Sequence, residues 1–355
     1  MPSYHHGLRQ SERNDVRDTR IDRLAWATAT YPFKVWGFGE SIAMEALLAA
    51  GGEHHAFAAG LIDRWTREAP PLHAVPLAHV APGVPLLSRY AETGDSTLIR
   101  RAGELAGVLT GLPVGQHGAR IHRADLAGWK HQVWVDCMHL DGPFLARLAV
   151  HLHEPDFHDF AADLLLTHAR PLQDERTGLF SHGFNDTEGR ANGVFWGRGL
   201  GWALLGLVDT AAELPASHRA RAEIGQRLIA LVAGMAATEA APGAWHTVVD
   251  HPETYLEPSV SAFVALGVGR AVRHGLAAAE YAALADRAWA ATAAGFSADG
   301  ALLDVSDATP VGADAAHYGA RPRGVFPWGQ GPALLAAIER VHADVIKTES
   351  THVPA

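Results

Sequence analysis

The 355-residue chain carries one cysteine, Cys137, and only three lysines, Lys34, Lys130 and Lys347. A single cysteine excludes an intrachain disulfide and any cysteine-based zinc cluster, and it is compatible with a reducing compartment. The remaining basic residues are arginines (29 minus 3 gives 26), and they form no basic run; the formal net charge is −10 with histidine neutral. Such an acidic chain is a poor match for nucleic acid or an anionic membrane, so neither is expected as a partner. Long apolar runs are also missing. Leu228 to Ala237, the longest, is too short to span a bilayer. Met1 to Arg20 is polar and lacks the apolar stretch of a secretory signal. A cytoplasmic protein is therefore expected. What the chain has in excess is histidine, 22 residues, and tryptophan, 10 residues. Both suit a site that grips a polar ring or an anion.

Strand signals are sparse, with Val248-Val249 and its neighbours the best local case. Ala, Leu, Arg and Glu instead recur at helical spacing, as in Ser217 to Met235 with Ala220, Ile224, Leu228 and Val232 on one face. A repeat accompanies this pattern. A Gly- or Pro-containing loop, often aromatic, leads into a small-residue helix, and a more polar helix follows. Six such openings occur: Trp36 to Gly39, Ala81 to Gly83, Asp141 to Phe144, Trp196 to Gly199, Glu257 to Ser259 and Pro327 to Gly331. Their spacing suits one helical hairpin plus a loop, about 45 to 70 residues. The first helix of each pair, such as Ser41 to Ala50, Trp202 to Ala212 or Ser261 to Val272, is apolar nearly all round and so reads as buried on all sides. The second helices, such as Glu53 to Arg67, are amphipathic. This predicts an all-α, (α/α)6 toroid over residues 21–345, with polar tails at 1–20 and 346–355. An open solenoid would need polar caps at both ends, and none is evident. In the toroid the six openings lie at one end, where helix N-termini favour an anionic ligand.

Two stretches carry the chemistry. In the first, Trp129 to Leu145, Asp136 sits between apolar residues at the start of an inner helix, near Trp129, Lys130, His131 and Trp134. A carboxylate there is either a helix cap or a buried catalytic acid. The second reads Val194-Phe195-Trp196-Gly197-Arg198-Gly199-Leu200-Gly201-Trp202. Its glycines let backbone approach a ligand, Arg198 can bind a carboxylate bidentately or sit in a salt bridge, and Trp196 and Trp202 offer faces to a sugar. No strand precedes it, so it fails as a nucleotide-binding loop. No His-Glu-x-x-His, no plausible metal triad and no Gly-x-Ser-x-Gly elbow occurs, so no metal or organic cofactor is expected. His54-His55 and the His151, His153, His158 cluster fall on outer helices. Cys137 reads as a packed thiol.

These segments together resemble the unsaturated rhamnogalacturonyl hydrolases of glycoside hydrolase family 105, a group close to the unsaturated glucuronyl hydrolases. The resemblance runs from about Trp36 to Leu335. It rests on Trp134-Val135-Asp136 followed by Pro143-Phe144-Leu145, on the Trp196 to Trp202 loop, on Gly178-Leu179-Phe180-Ser181-His182-Gly183, on Leu256 to Ala262, and on Val80 to Gly83 followed by Glu92 to Asp95. It implies an (α/α)6 barrel that hydrates the C4–C5 double bond of an unsaturated uronic acid at the non-reducing end of lyase-generated oligosaccharides, an anionic substrate. It implies that Asp136 is the general acid/base. His182 and Arg198 would hold the uronate, Lys130 and His131 would contact substrate near Asp136, and Trp196 and Trp202 would stack on the ring. The step needs a protonated carboxyl, which burial favours and a helix N-terminus opposes.

The chain departs from the family pattern in places. Ala78 stands where relatives commonly carry a second aspartate, with His79, Glu257 or Asp141 as the residues that could compensate. Leu200, Pro258 and Val260 depart as well. The alternatives are another uronate-acting toroid, such as a β-glucuronidase or sugar epimerase, or a sugar-binding homologue with impaired catalysis. The sequence does not distinguish a monomer from a homodimer.

Overall fold

The computed structural model describes residues 10–35, 39–69 and 82–350. Among these, thirteen α-helices follow in chain order: α1 (Gln10–Ala29), α2 (Ser41–Ala50), α3 (Gly52–Glu68), α4 (Gly83–Thr93), α5 (Ser96–Gly111), α6 (Cys137–Leu152), α7 (Asp156–Leu172), α8 (Gly197–Glu213), α9 (Arg221–Ala237), α10 (Pro258–Arg273), α11 (Ala282–Ala294), the short α12 (Ala315–Gly319) and α13 (Pro327–Ser350). The apolar pattern decides which layer each helix joins. Every residue of α8 from Gly197 to Ala211 is buried. In its partner α9 only Ile224, Leu228, Leu231, Val232, Gly234 and Met235 are buried, a single stripe at helical spacing.

The inner helices α2, α4, α6, α8, α10 and α13 pack each on the next, and α13 packs back on α2. The ring is therefore closed, which gives the (α/α)6 barrel. Each inner helix has an outer mate: α3 on α2, α5 on α4, α7 on α6, α9 on α8 and α11 on α10. The sixth outer helix comes from the other end of the chain, because α1 packs on α13. For this reason residues 10–20, expected as a tail, are helical, and the last helix continues past 346 to Ser350. The third opening also moves. Asp141 to Phe144 lie inside α6, which starts at Cys137, and Pro143 sits within the helix.

Little sheet is present. Strands β1 (Gln132–Trp134), β2 (Gly183–Asn185) and β3 (Arg190–Ala191) form an antiparallel sheet in which Trp134 faces Gly183. Strands β4 (Val305–Ser306) and β5 (Arg323–Gly324) form a second pair. Val248 makes only an isolated bridge, to Trp196. The glycines at the start of α8 serve helix packing rather than ligand approach. A Cβ on Gly199 would lie 2.9 Å from Val135 and Trp196, and one on Gly201 would lie 2.5 Å from the Phe263 ring.

Toward the C-terminal ends of the inner helices the core is ionic. Arg270 on α10 binds Asp209 of α8 at 2.6 Å and Glu339 of α13 at 2.7 Å, and Arg147 of α6 binds Glu213 at 3.0 Å. Glu45 of α2 lies 4.0 Å from Arg147. Burial outweighs its attraction to Arg147 and Arg270, and Asp209 and Glu339 repel it, so its carboxyl is pushed up to about 7. The folded chain keeps this proton where the unfolded chain, near 4.5, has lost it. Stability should therefore fall as pH rises from about 4.5 to 7. Glu45→Gln should remove that slope, gaining on the order of 2 kcal/mol on the native chain between pH 5 and pH 8. Parallel urea-unfolding curves for both proteins across this range would contradict the assignment.

Candidate active site

At the opposite end, the N-terminal ends of α2, α6, α8 and α13 border a cavity of about 510 Å³. Asp136 lies in its wall, just before α6, and is 4 % exposed. It does not cap the helix. Its backbone is already helical at φ −56 and ψ −33, and its side chain accepts no capping hydrogen bond. Strand pairing explains its position. The Val135 N–H donates to the His182 carbonyl at 3.0 Å, continuing the β1–β2 register by one residue. This brings Asp136 beside His182, whose Nε2 lies 3.2 Å from Asp136 Oδ2. Neither of these buried atoms has a hydrogen-bond partner among the described residues.

The histidine's proton can be located from its other side. Tyr318 on α12 accepts from the Gly312 N–H at 3.0 Å and from Asn192 Nδ2 at 3.3 Å, which fills both of its lone pairs. Its hydroxyl proton is then free to donate to His182 Nδ1, 2.7 Å away. A neutral His182 must therefore carry its own proton on Nε2, the nitrogen nearest Asp136. Burial lowers the pKa of His182 more than Asp136 raises it, so the ring is neutral near pH 7. Trp196 packs on the ring at 4.3 Å and Trp134 meets it edge-on at 5.5 Å.

Aromatic side chains supply most of the remaining wall. Trp129, Trp134, Trp196, Trp202 and Trp328 line the cavity, and His122 stacks on Trp134 at 4.2 Å. Trp202 is held by His139 behind it, stacked at 5.2 Å, and by Phe263 edge-on at 4.6 Å. Burial lowers His139 to about 4, so this support is uncharged at neutral pH. Tyr31, Lys34, Glu40, Arg123 and residues 307–310 complete the lining.

Several expectations change. Lys130 and His131 are exposed and do not line the cavity, because the chain turns outward before β1. Glu257 is buried and satisfied by the Ser306 N–H at 3.0 Å and the Ser259 hydroxyl at 2.6 Å, so it supports the wall from behind. Asp141 is fully buried inside α6. His79 and Ala78 lie outside the described residues. Arg198 reaches the cavity, stacked over Trp196 at 4.5 Å. Its donors, however, serve the chain itself. Nη1 donates to the Ser306 carbonyl (3.0 Å) and hydroxyl, and Nη2 to the Asp307 carbonyl (2.8 Å) and the Thr309 hydroxyl (3.2 Å), with Glu257 at 3.5 Å. Four of five guanidinium N–H groups thus tie down the 306–309 segment, which makes Arg198 an anchor of the cavity wall rather than a free carboxylate clamp. Leu200, Pro258 and Val260 have packing roles: Leu200 and Val260 are fully buried, Val260 closes against Gly197, and Pro258 occupies the first turn of α10, where a proline is tolerated.

His122, Tyr31, Lys34, Glu40 and residues 307–310 were not singled out by sequence. Glu40 and Trp328 had a usable signal, since each sits at one of the repeat openings. The others lie in irregular connections that have no periodicity to read. Among the described residues, no group of three or more His, Cys, Asp or Glu is placed to hold a metal ion, and no helix is long and apolar enough to cross a membrane.

The model of Glycosyl Hydrolase Family 88 matches residues 39–343. The chain belongs to this family. Among curated proteins it is 28% identical over 343 residues to the unsaturated rhamnogalacturonyl hydrolase YesR of Bacillus subtilis (strain 168), covering 93% of this chain and 94% of that one. Among solved structures, a possible member of glycoside hydrolase family 105 from Salmonella enterica serovar Paratyphi A superposes with a TM-score of 0.82 at 24% identity, covering 97% of both chains. The unsaturated glucuronyl hydrolase from Bacillus sp. GL1 superposes with a TM-score of 0.72 at 15% identity, covering 94% of this chain and 97% of that one. Within this glycosyl hydrolase fold, Arg198→Ala should release the 306–309 wall and leave Glu257 buried without its cation. The expected loss is roughly 3–5 kcal/mol in a denaturant melt, with activity falling alike for charged and uncharged substrates. An unchanged melt with a defect confined to charged substrates would return Arg198 to carboxylate binding.

Proposed function

We propose that this glycosyl hydrolase removes a 4,5-unsaturated uronic acid from the non-reducing end of an anionic oligosaccharide by hydrating the C4–C5 double bond. The observation that carries this reading is the placement of Asp136. Its carboxyl is buried in an aromatic-walled cavity, does not cap its helix, and has the neutral His182 ring beside one oxygen. The segment's resemblance to the family's Trp-Val-Asp motif, and the similarity to YesR, support the same substrate class.

The chemistry balances with one carboxyl group. Protonated Asp136 gives its proton to C4, and positive charge develops at C5 and the ring oxygen. Water adds to C5 while the new Asp136 carboxylate takes the water's proton, which restores the acid. The resulting C5 hemiketal opens, breaking the bond between C5 and the ring oxygen, and the C1 hemiacetal so formed expels the aglycone as its alcohol. His182 stands beside the carboxylate through these transfers, its Nε2 3.2 Å from Oδ2. The tryptophan faces suit a sugar ring. This route differs from ordinary glycosidase chemistry, in which two carboxylates act at the anomeric carbon.

Asp136→Asn keeps the size of the side chain and loses the proton relay. It should leave the melting temperature nearly unchanged and lower kcat by at least about 1,000-fold, read from the loss of the double bond's ultraviolet absorbance. Undiminished turnover in this variant would remove Asp136 from the mechanism.

A further inference from the structure

An anionic substrate needs a cation whose donors are free, and among the described residues Arg198, Arg123 and Lys34 line the cavity. Arg198 has spent four donors on the 306–309 segment. Arg123 is held by Asp125 through two bonds, Nε to Oδ1 and Nη2 to Oδ2, both 2.6 Å. The third is Lys34. Its ammonium makes no hydrogen bond and no ion pair within 4.0 Å with a described residue, although it attracts the Glu40 carboxylate at longer range, and it lines the cavity together with Glu40 and Tyr31.

The backbone at Lys34 and Val35 is held rather than loose. Glu40, 3 % exposed, accepts the Lys34 backbone N–H at 2.7 Å through Oε2. The backbone N–H groups of Lys34 and Val35 both favour the ionised form of that carboxylate, against the burial that raises its pKa. Between them the chain adopts a conformation that a β-branched residue avoids: Val35 is buried with φ at +62. Strain of this kind persists only where its surroundings enforce it, and it concentrates at functional sites. Here Glu40 supplies the enforcement, and the product is a lysine at the cavity edge.

Resting on the function proposed above, we infer that Lys34 receives the carboxylate of the substrate and that Glu40 is the positioning residue for it. A lysine suits this task as a mobile point charge, where a planar guanidinium would need fixed bidentate geometry. Tyr31 and Trp328, 6.5 Å apart, flank the approach with aromatic surface.

The test measures binding and turnover of a lyase-generated unsaturated uronyl disaccharide and of its carboxyl methyl ester. Binding is read by calorimetry in the Asp136→Asn protein, with and without Lys34→Met. Turnover is read in the protein with Asp136 intact. Lys34→Met should weaken binding of the acid about 10-fold or more and raise KM by a similar factor, with the effect falling on KM rather than kcat. Binding of the methyl ester should be indifferent to the change, and Lys34→Arg should recover part of the loss. Glu40→Gln should raise KM in the same direction, because it loosens the backbone that carries the ammonium. Equal binding of the acid with and without Lys34, or equal weakening of acid and ester, overturns the inference while native turnover leaves the proposed function standing. If the native protein neither binds nor consumes the disaccharide, both fall together.

Discussion

The open end of this barrel depends on keeping one carboxyl group out of water without giving it a fixed cation. Asp136 achieves this through its neighbours in the fold. The β1–β2 pairing stops one residue before it, α6 begins one residue after it, and His182 fills the space beside it. The neutral His182 beside it brings no net charge. Its neutrality comes from burial, and its tautomer comes from Tyr318, whose lone pairs are already occupied. A short helix capped by Asp314 (through the His317 N–H, 3.0 Å) thus sets the proton position at a site far away in sequence.

The two ends of the barrel divide the electrostatic work. At the far end the inner helices are tied by buried ion pairs among Asp209, Arg270 and Glu339, with Glu45 as the proton-carrying member. At the near end the charged groups are arranged for ligand. Arg198 is neutralised by Glu257 and bound to the wall, Arg123 is paired with Asp125, and Lys34 remains. The acidic net charge of the chain therefore does not oppose an anionic substrate. On the proposed reading, attraction is local, from helix N-termini and, among the described residues, the Lys34 ammonium, over distances at which screening by salt is modest.

Much of the architecture was legible in the sequence because the hairpin repeat writes itself in composition. An inner helix such as α8 can hold only small and apolar residues when every face is covered, and its neighbour α9 then shows a single stripe. The start of α6 was less legible, since Asp141-Gly142-Pro143 looks like a loop. The helix nevertheless runs through it, and α6 packs closely against α8 there, with Thr210 against Gly142. The contribution of α1 was invisible for a different reason: a polar, amphipathic segment near a terminus shows its role only once α13 is there to meet it. Of the residues singled out by motif, Asp136, Trp196 and Trp202 line the cavity and His182 lies beside Asp136. Lys130 and His131 did not hold, because adjacency in sequence to Asp136 does not survive the outward turn before β1. Arg198 had two readings, and the 306–309 segment that decides between them lies more than 100 residues away. The histidine and tryptophan excess is likewise divided: His122, His182 and five tryptophans surround or support the cavity, while His54, on the outer helix α3, packs against Trp26.

The central claim is that chemistry begins at a double bond and is run by one carboxyl group. A matched pair of disaccharides, identical except that one carries the C4–C5 double bond in its uronic acid and the other is saturated, tests it most directly. The account predicts consumption of the unsaturated compound, with release of the aglycone, and no detectable cleavage of the saturated one under the same conditions. Comparable kcat/KM for the two would contradict it and place the reaction at the anomeric carbon.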